Sequence, residues 1–373
     1  MGSAGGMPGA AGDAPRRGEG GDGGAPDALT CIAGFADCDD SRFTGCETEL
    51  SWTQRHCGAC GNVCAGACAF GKCVAADVLA RDLIASSLVS TKTHAFATLK
   101  SSGAFVGRFD LQTGALQSLL EGISSDTIVT LARDRVYAFD PDGETLHGIP
   151  FGATELAAPE PLLRPASFGS NQRGTYYVRY ADSDSEDESD ELWYRQQATD
   201  DWQHSTTATS LDILSSSAYG VVLEQELGDG TWHLSTLNDG EQVDHGPTPP
   251  GLYQAVAVMG GIVAIGTEPD AAGWELYWLT PDGEVTHYPL EDSLVEYGQS
   301  LLPFDKQAAV LLEDRNRTYL QFFDRRGRRP LRLGLASYSI VAALDEQSLW
   351  HTTYDSPITL RVLRSTWQSL NDF

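Results

Sequence analysis

The residues best equipped for chemistry are eight cysteines, Cys31, Cys38, Cys46, Cys57, Cys60, Cys64, Cys68 and Cys73, with no other cysteine in the 373-residue chain. Their spacing, C-x6-C-x7-C-x10-C-x2-C-x3-C-x3-C-x4-C, admits two chemistries. One is oxidation to disulfides, the usual device of small secreted modules whose cores are too slight to hold them folded. The other is zinc, because Cys57-x2-Cys60 and Cys64-x3-Cys68 have ligand spacing and four thiolates close a tetrahedral site. Zinc at those four positions leaves Cys31, Cys38, Cys46 and Cys73 unexplained, so disulfides are expected. Eight cysteines permit 105 pairings, and spacing does not choose among them.

Two charge clusters come next. Asp182, Asp184 and Glu186 open an acidic run that extends to Glu191. Their alternation matches a calcium loop, but the sixth position lacks the glycine and the twelfth the glutamate of such loops. Calcium is therefore the one cofactor suggested, against the plainer reading of a solvated charge run. Arg315, Arg317, Arg325, Arg326, Arg328, Arg329 and Arg332 form the opposite cluster. Guanidinium forks suit an anionic glycan, phosphate or an acidic partner, so these residues are a candidate anion site; the alternative is an exposed, solubilising hairpin.

Catalytic signatures are missing from the sequence. His94, His147, His204, His233, His245, His287 and His351 are dispersed without metal-binding spacing. No nucleophile elbow, P-loop or dinucleotide fingerprint occurs. Trp193, Trp232, Trp274 and Trp278 could stack on sugars, although three begin strands where packing accounts for them. The formal net charge of −27 argues against nucleic acid, whose binding depends on Lys and Arg displacing counterions. No apolar run approaches the 18 or so residues of a membrane-spanning helix.

The elements that must position these groups begin near residue 74. Short β-type runs recur: HAFATLK, RVYAFDP, TYYVRYA, AYGVVLE, GIVAIGT, QAAVLLE and SLWHTTY, centred on Phe96, Tyr137, Tyr177, Val221, Val263, Val310 and Trp350. Spacings of about 40 to 47 residues are those of four-stranded propeller blades. Hairpins ending at Gly114, Gly240, Gly283 and Gly327 align as well, each placing glycine where a reversal needs positive φ. The expected fold is all-β: a seven-bladed β-propeller over residues 74–373, with six blades or a β-sandwich as alternatives. The ring could close through Trp367–Phe373 as a last strand, or through residues 74–80 crossing to the final blade. In the propeller, the acidic loop and the arginine hairpin should occupy opposite faces.

Ahead of the propeller lie a Gly-rich stretch, residues 1–30, expected to be a flexible tether, and the cysteine module, residues 31–73. The segments GCETEL, HCGACGNVC and the closing GKC resemble a Cys-rich module of bacterial surface proteins, and CGACGNVC is similar to part of the plant Stig1-type repeat. The resemblance covers about an eighth of the chain and implies secretion more than activity. With no apolar leader in the sequence, a lipid anchor outside it is an expectation only. The reading that follows is an exported, surface-anchored binding or scaffold protein whose partner is a protein or glycan at the cell surface. A secreted propeller-type hydrolase or lyase acting on polysaccharide or peptide is the runner-up.

Overall fold

The structure, a computed structural model, describes residues 31–364 apart from 40, 42–44, 152–157, 163–164, 182–188, 199, 268–272, 292, 295–299, 315–316, 330, 336–338, 345–347 and 354–357. Strands dominate; the one helical element among the described residues is a 3₁₀ turn, Gln54–His56. Seven antiparallel sheets follow one another, with inner strands starting at Ile84, Ile128, Pro165, Leu211, Gln254, Leu301 and Ser339; these define blades 1 to 7. Inner strands neighbour one another in chain order, and the last, Ser339–Leu344, returns against the first, Ile84–Ser90. The ring therefore has seven blades, not six.

Each aligned run is the second strand of its blade, and its central residue is buried in every case, from Phe96 to Trp350. Side chains alternate between the two faces of a strand, and in a propeller both faces meet a neighbour. In His94–Lys100, Phe96 points to blade 2, where it meets Val129, Val136 and Ile149. Ala95, Ala97 and Leu99 point the other way, against Trp350 and Leu360 of blade 7. Small residues opposite a tryptophan fill the gap without strain. One such apolar cluster occupies each of the seven blade–blade junctions. Burial on both faces explains why these runs read as continuous apolar stretches rather than alternating ones.

Inner strands face the channel with an edge whose backbone groups lack a ladder partner, a costly state unless they are satisfied. Hydroxyls and amides from adjoining blades supply the partners. Ser87 Oγ accepts from the Val129 amide at 3.0 Å and Ser167 Oγ from Ile213 at 2.8 Å. Ser216 Oγ accepts from Ser170 at 3.2 Å, and Gln254 Oε1 from Ser300 and Leu301 at 3.0 and 2.9 Å. Register shifts at Ala85/Ser87, Pro165/Ser167 and Ile213/Ser215 set several of these serines toward the next blade, the re-aiming that a β-bulge provides.

The fourth place in blade 7 belongs to the N-terminal side of the ring. Asp77–Arg81 pairs with Thr359–Arg364, Arg81 opposite Thr359 and Asp77 opposite Val362. Closure thus takes the second of the two expected routes, and Trp367–Phe373 lies outside the described residues.

The cysteine module holds four disulfides, Cys31–Cys46, Cys38–Cys60, Cys57–Cys68 and Cys64–Cys73. This corrects the zinc alternative. Cys57, Cys64 and Cys68 do cluster, but Cys57 and Cys68 are bonded to each other and Cys64 to Cys73, so no thiolate is left as a ligand. Each disulfide loop overlaps the next along the chain.

The module is built onto blade 6. Its hairpin, Ala67–Ala69 with Lys72–Val74, continues the blade's sheet outward, Cys68 pairing with Gly334. Trp52 packs on Tyr319 with ring centroids 4.8 Å apart, and the Arg332 guanidinium lies 4.8 and 4.5 Å from those two rings, within cation–π range. Ala67 and Ala69 join the core shared by blades 6 and 7. Gly334 is required here, because a Cβ at that position would lie 1.6 Å from the Trp52 carbonyl oxygen.

Gly334→Ala is accordingly expected to force the module off its blade and to destabilise the protein by roughly 1–3 kcal/mol, the cost of overpacking a fixed contact. Thermal unfolding and limited proteolysis between residues 73 and 77 measure it. A variant that melts and resists protease like the parent would show that the Trp52 carbonyl can step aside.

Candidate functional site

In an antiparallel meander, the turns joining first to second strands and third to fourth strands emerge on one face of the ring. The remaining connections emerge on the other. The channel opens on the first of these faces into a cavity of about 520 Å³, within the usual range for small-ligand sites. Its walls come from the first-to-second turns of blades 1 to 4, the end of the blade 2 third strand, and the blade 6 inner strand.

Much of the polar wall is locked by internal bonds. Thr130 Oγ1 and Ser170 Oγ share a hydrogen bond of 2.6 Å, and Ser217 Oγ donates to the Ala257 carbonyl at 2.9 Å. Asn171 uses both ends of its amide. Oδ1 accepts from the Arg173 and Gly174 amides, closing the turn, and Nδ2 donates to Leu237 O and Asn238 Oδ1. Tyr219 reaches across blade 5, its hydroxyl accepting from the Asp305 amide of blade 6 at 2.8 Å, while the Asp305 carbonyl accepts from Met259. That span roofs the blade 5 side of the mouth.

Three exposed side chains lining the mouth are left with no hydrogen-bond or ion-pair partner among the described residues: Lys92, Arg133 and Gln172. Phe151, 42 % exposed, stands beside Arg133; its amide donates to the Asp134 carbonyl at 3.3 Å and its ring centroid is 6.4 Å from that of Phe96. Among the described lining residues there is no carboxylate and no imidazole. None of these mouth residues is conspicuous in the sequence. The available signal was positional, since each of Lys92, Arg133 and Gln172 falls just ahead of an aligned second-strand run.

Of the arginine cluster, Arg325, Arg326, Arg328 and Arg329 lie on the same face, in the turn between the third and fourth strands of blade 6, and three of these four are engaged. Arg325 pairs with Glu284 at 2.5 Å, Arg328 with Asp324 at 2.6 Å and Arg329 with Glu291 at 2.7 Å. Arg332 donates to Gln321 besides covering Trp52. Arg317 opens the blade 6 third strand, at the opposite face, and Arg315 lies outside the described residues. The calcium candidates Asp182, Asp184 and Glu186 also lie outside them.

The histidines do not converge. His233 contacts Asp244 and His287 contacts Glu275, both on strand surfaces. His245 is buried against Thr236 at 2.9 Å, and burial lowers its pKa. His351 is fully buried in the second strand of blade 7, with neither ring nitrogen hydrogen-bonded among the described residues. Trp193 stacks on Tyr177 and Trp278 sits in the blade 5–6 core, so both serve packing, while Trp232 is 39 % exposed.

Solved structures of similar shape were found. An acylaminoacyl peptidase from Pyrococcus horikoshii matches with a TM-score of 0.52 at 12 % identity, covering 75 % of this chain and 51 % of the peptidase. Its orthorhombic crystal form gives the same TM-score and identity over 78 % and 54 %. The β-propeller domain of the Trilobed protease from Pyrococcus furiosus matches at 0.49 and 12 %, over 75 % and 95 %. This chain spans about half the length of the acylaminoacyl peptidases, and at such identity the likeness is one of fold. No protein-family profile matches the sequence, and no curated protein is similar to it.

His351 generates a stability prediction. Burial, with the nearby Arg361 charge, holds its pKa down at about 3, against about 6.5 in an unfolded chain. Below pH 6.5 the unfolded chain takes up a proton that the native state refuses, so stability is lost as pH falls toward 3. The slope approaches 1.4 kcal/mol per pH unit. His351→Leu should remove this component, making the loss between pH 7 and 4.5 roughly 2–3 kcal/mol smaller than in the parent. Denaturant titrations at the two pH values decide it; parallel losses would mean that the imidazole is charged in the native state.

Proposed function

We propose that the protein is an exported, surface-displayed binding protein, with the propeller as recognition platform and the channel mouth as ligand seat. The observation that carries this reading is the chemistry of the mouth. Its described walls are apolar groups, internally bonded hydroxyls and amides, the exposed Gln172 amide and two exposed cations, with no acid–base pair among them. Hydrolysis of a glycoside or peptide by general acid–base catalysis needs a positioned carboxylate or imidazole. Walls of this kind select and hold a ligand instead.

Export is supported by the four disulfides, which persist in oxidising compartments, and no helix among the described residues is long and apolar enough to cross a membrane. The partner class in this reading is a protein or glycan at the cell surface, and the Gly-rich residues ahead of Cys31 act as the tether. A lipid anchor on that tether is part of the proposal.

Ala218, exposed in the blade 4 turn at the mouth, offers the test. Ala218→Trp should fill the mouth without disturbing a blade core. Full-length protein immobilised over panels of surface oligosaccharides and peptides is expected to retain ligand unchanged in mass, and the Trp variant to lose at least tenfold in affinity at equal thermal stability. Time-dependent appearance of cleaved ligand would replace the binding reading with the hydrolase, and full retention by the variant would move the seat elsewhere.

A further inference from the structure

Several cations are engaged in ion pairs within the fold, while others, Arg55, Arg81, Lys100 and Arg326 among them, form none among the described residues. Arg135, Arg179, Arg195, Arg325, Arg328 and Arg329 are each matched to a carboxylate within the fold. Lys92, Arg133, Arg173 and Lys306 are exposed and form no ion pair among the described residues. All four of these occupy first-to-second turns, in blades 1, 2, 3 and 6, on the face where the channel opens, and Lys92 and Arg133 line the opening itself. They include two of the four lysines in a chain with 52 acidic residues.

Neighbouring carboxylates on this face are largely occupied. Asp134 is held by Arg135 through Nε and a terminal nitrogen at 3.1 and 2.8 Å. Asp110 accepts from the Gln112 and Thr113 amides inside its turn, and Asp239 from Tyr194 and Gln196. Asp305 and Lys306 are adjacent in the blade 6 turn, and neither is part of the mouth lining. Among the described lining residues the charged side chains are thus both cationic, Lys92 and Arg133, with an exposed aromatic ring, Phe151, on the rim.

We propose that the mouth takes an acidic saccharide, a sugar ring carrying a carboxylate or sulfate group. Lys92 and Arg133 would meet the anion, and Phe151 would take the apolar C–H face of the ring. This inference rests on the reading of the mouth as ligand seat. The chemistry requires both features together: charge-assisted hydrogen bonds select the anion, while the aromatic face excludes bare inorganic ions from the full binding energy. An acidic protein surface beyond the mouth repels polyanions generally, which leaves the pocket to an acidic chain end or a short acidic segment.

The probes are tetragalacturonate, the neutral galactose tetramer and inorganic sulfate, titrated calorimetrically against the full chain at low and moderate salt. Tetragalacturonate is expected to bind at least tenfold more tightly than either of the others, a factor equivalent to 1.4 kcal/mol, and to weaken with salt. Lys92→Gln and Arg133→Gln should each reduce its affinity several-fold and flatten the salt dependence, with the melting temperature unchanged. Phe151→Ala should weaken both sugars alike. Equal binding of acidic and neutral tetramers overturns the anion inference, although capture that is still abolished by Ala218→Trp leaves the ligand-seat reading in place. Sulfate binding as well as the acidic sugar overturns the saccharide, and failure of all three probes overturns the proposal.

Discussion

A ring of sheets is only as cohesive as the place where the two ends of the chain meet. Here that place is the ladder between Asp77–Arg81 and Thr359–Arg364. Closing it brings together residues nearly the whole chain apart, an entropic cost that rises slowly with loop length but has to be met at one seam. Five residues of antiparallel pairing, with outward side chains half exposed, are a modest return by themselves. What strengthens the seam is the segment just before it. The cysteine module is fixed to blade 6 by the Trp52–Tyr319–Arg332 stack and by the Cys68–Gly334 pairing. The closing strand therefore leaves a fixed point beside blade 7 and has only a few residues to travel. Arg361 in blade 7 adds a further tie by donating to the Ala65 carbonyl of the module.

The same economy governs the channel. Seven inner edges converge there, and serine, threonine and glutamine side chains satisfy the backbone of the adjoining blade. Such groups are bound within the scaffold and do not compete for ligand. Ion pairing sorts the guanidinium groups in a similar way. Arg195, nearly buried, joins Glu160 and covers Trp202 at 4.2 Å, and so fastens blade 3 to blade 2. At the mouth, the polar side chains that the scaffold does not use are Lys92, Arg133 and Gln172.

Much of the architecture was legible in the sequence because it depends on repetition. Phe96, Tyr137, Tyr177, Val221, Val263, Val310 and Trp350 recur because every blade needs a second strand buried on both faces. Gly114, Gly240, Gly283 and Gly327 recur because each hairpin needs a residue at positive φ, and all four adopt it. The closing strand was harder to read. Its sequence, Asp-Val-Leu-Ala-Arg, is that of an outer strand with weak apolar content, and its partner lies at the far end of the chain. Disulfide pairing was unreadable for a related reason, since contacts rather than spacing decide which sulfurs meet. The mouth was missed because its residues lie about one blade apart and each is individually ordinary; only the aligned turns bring Lys92, Arg133 and Gln172 together.

The overlapping order of the disulfides has a mechanical meaning. Pulling on the residues ahead of Cys31 cannot unravel the module along its full contour. The shortest covalent route to Cys73 takes seven peptide steps from Cys31 to Cys38, crosses to Cys60, takes four more to Cys64 and crosses again. Very little slack can be released along that route. Load therefore passes almost undiminished to the hairpin seated on blade 6. A protein held at its N-terminal end against flow or shear would keep its propeller shut, and its mouth intact, for as long as that sheet holds.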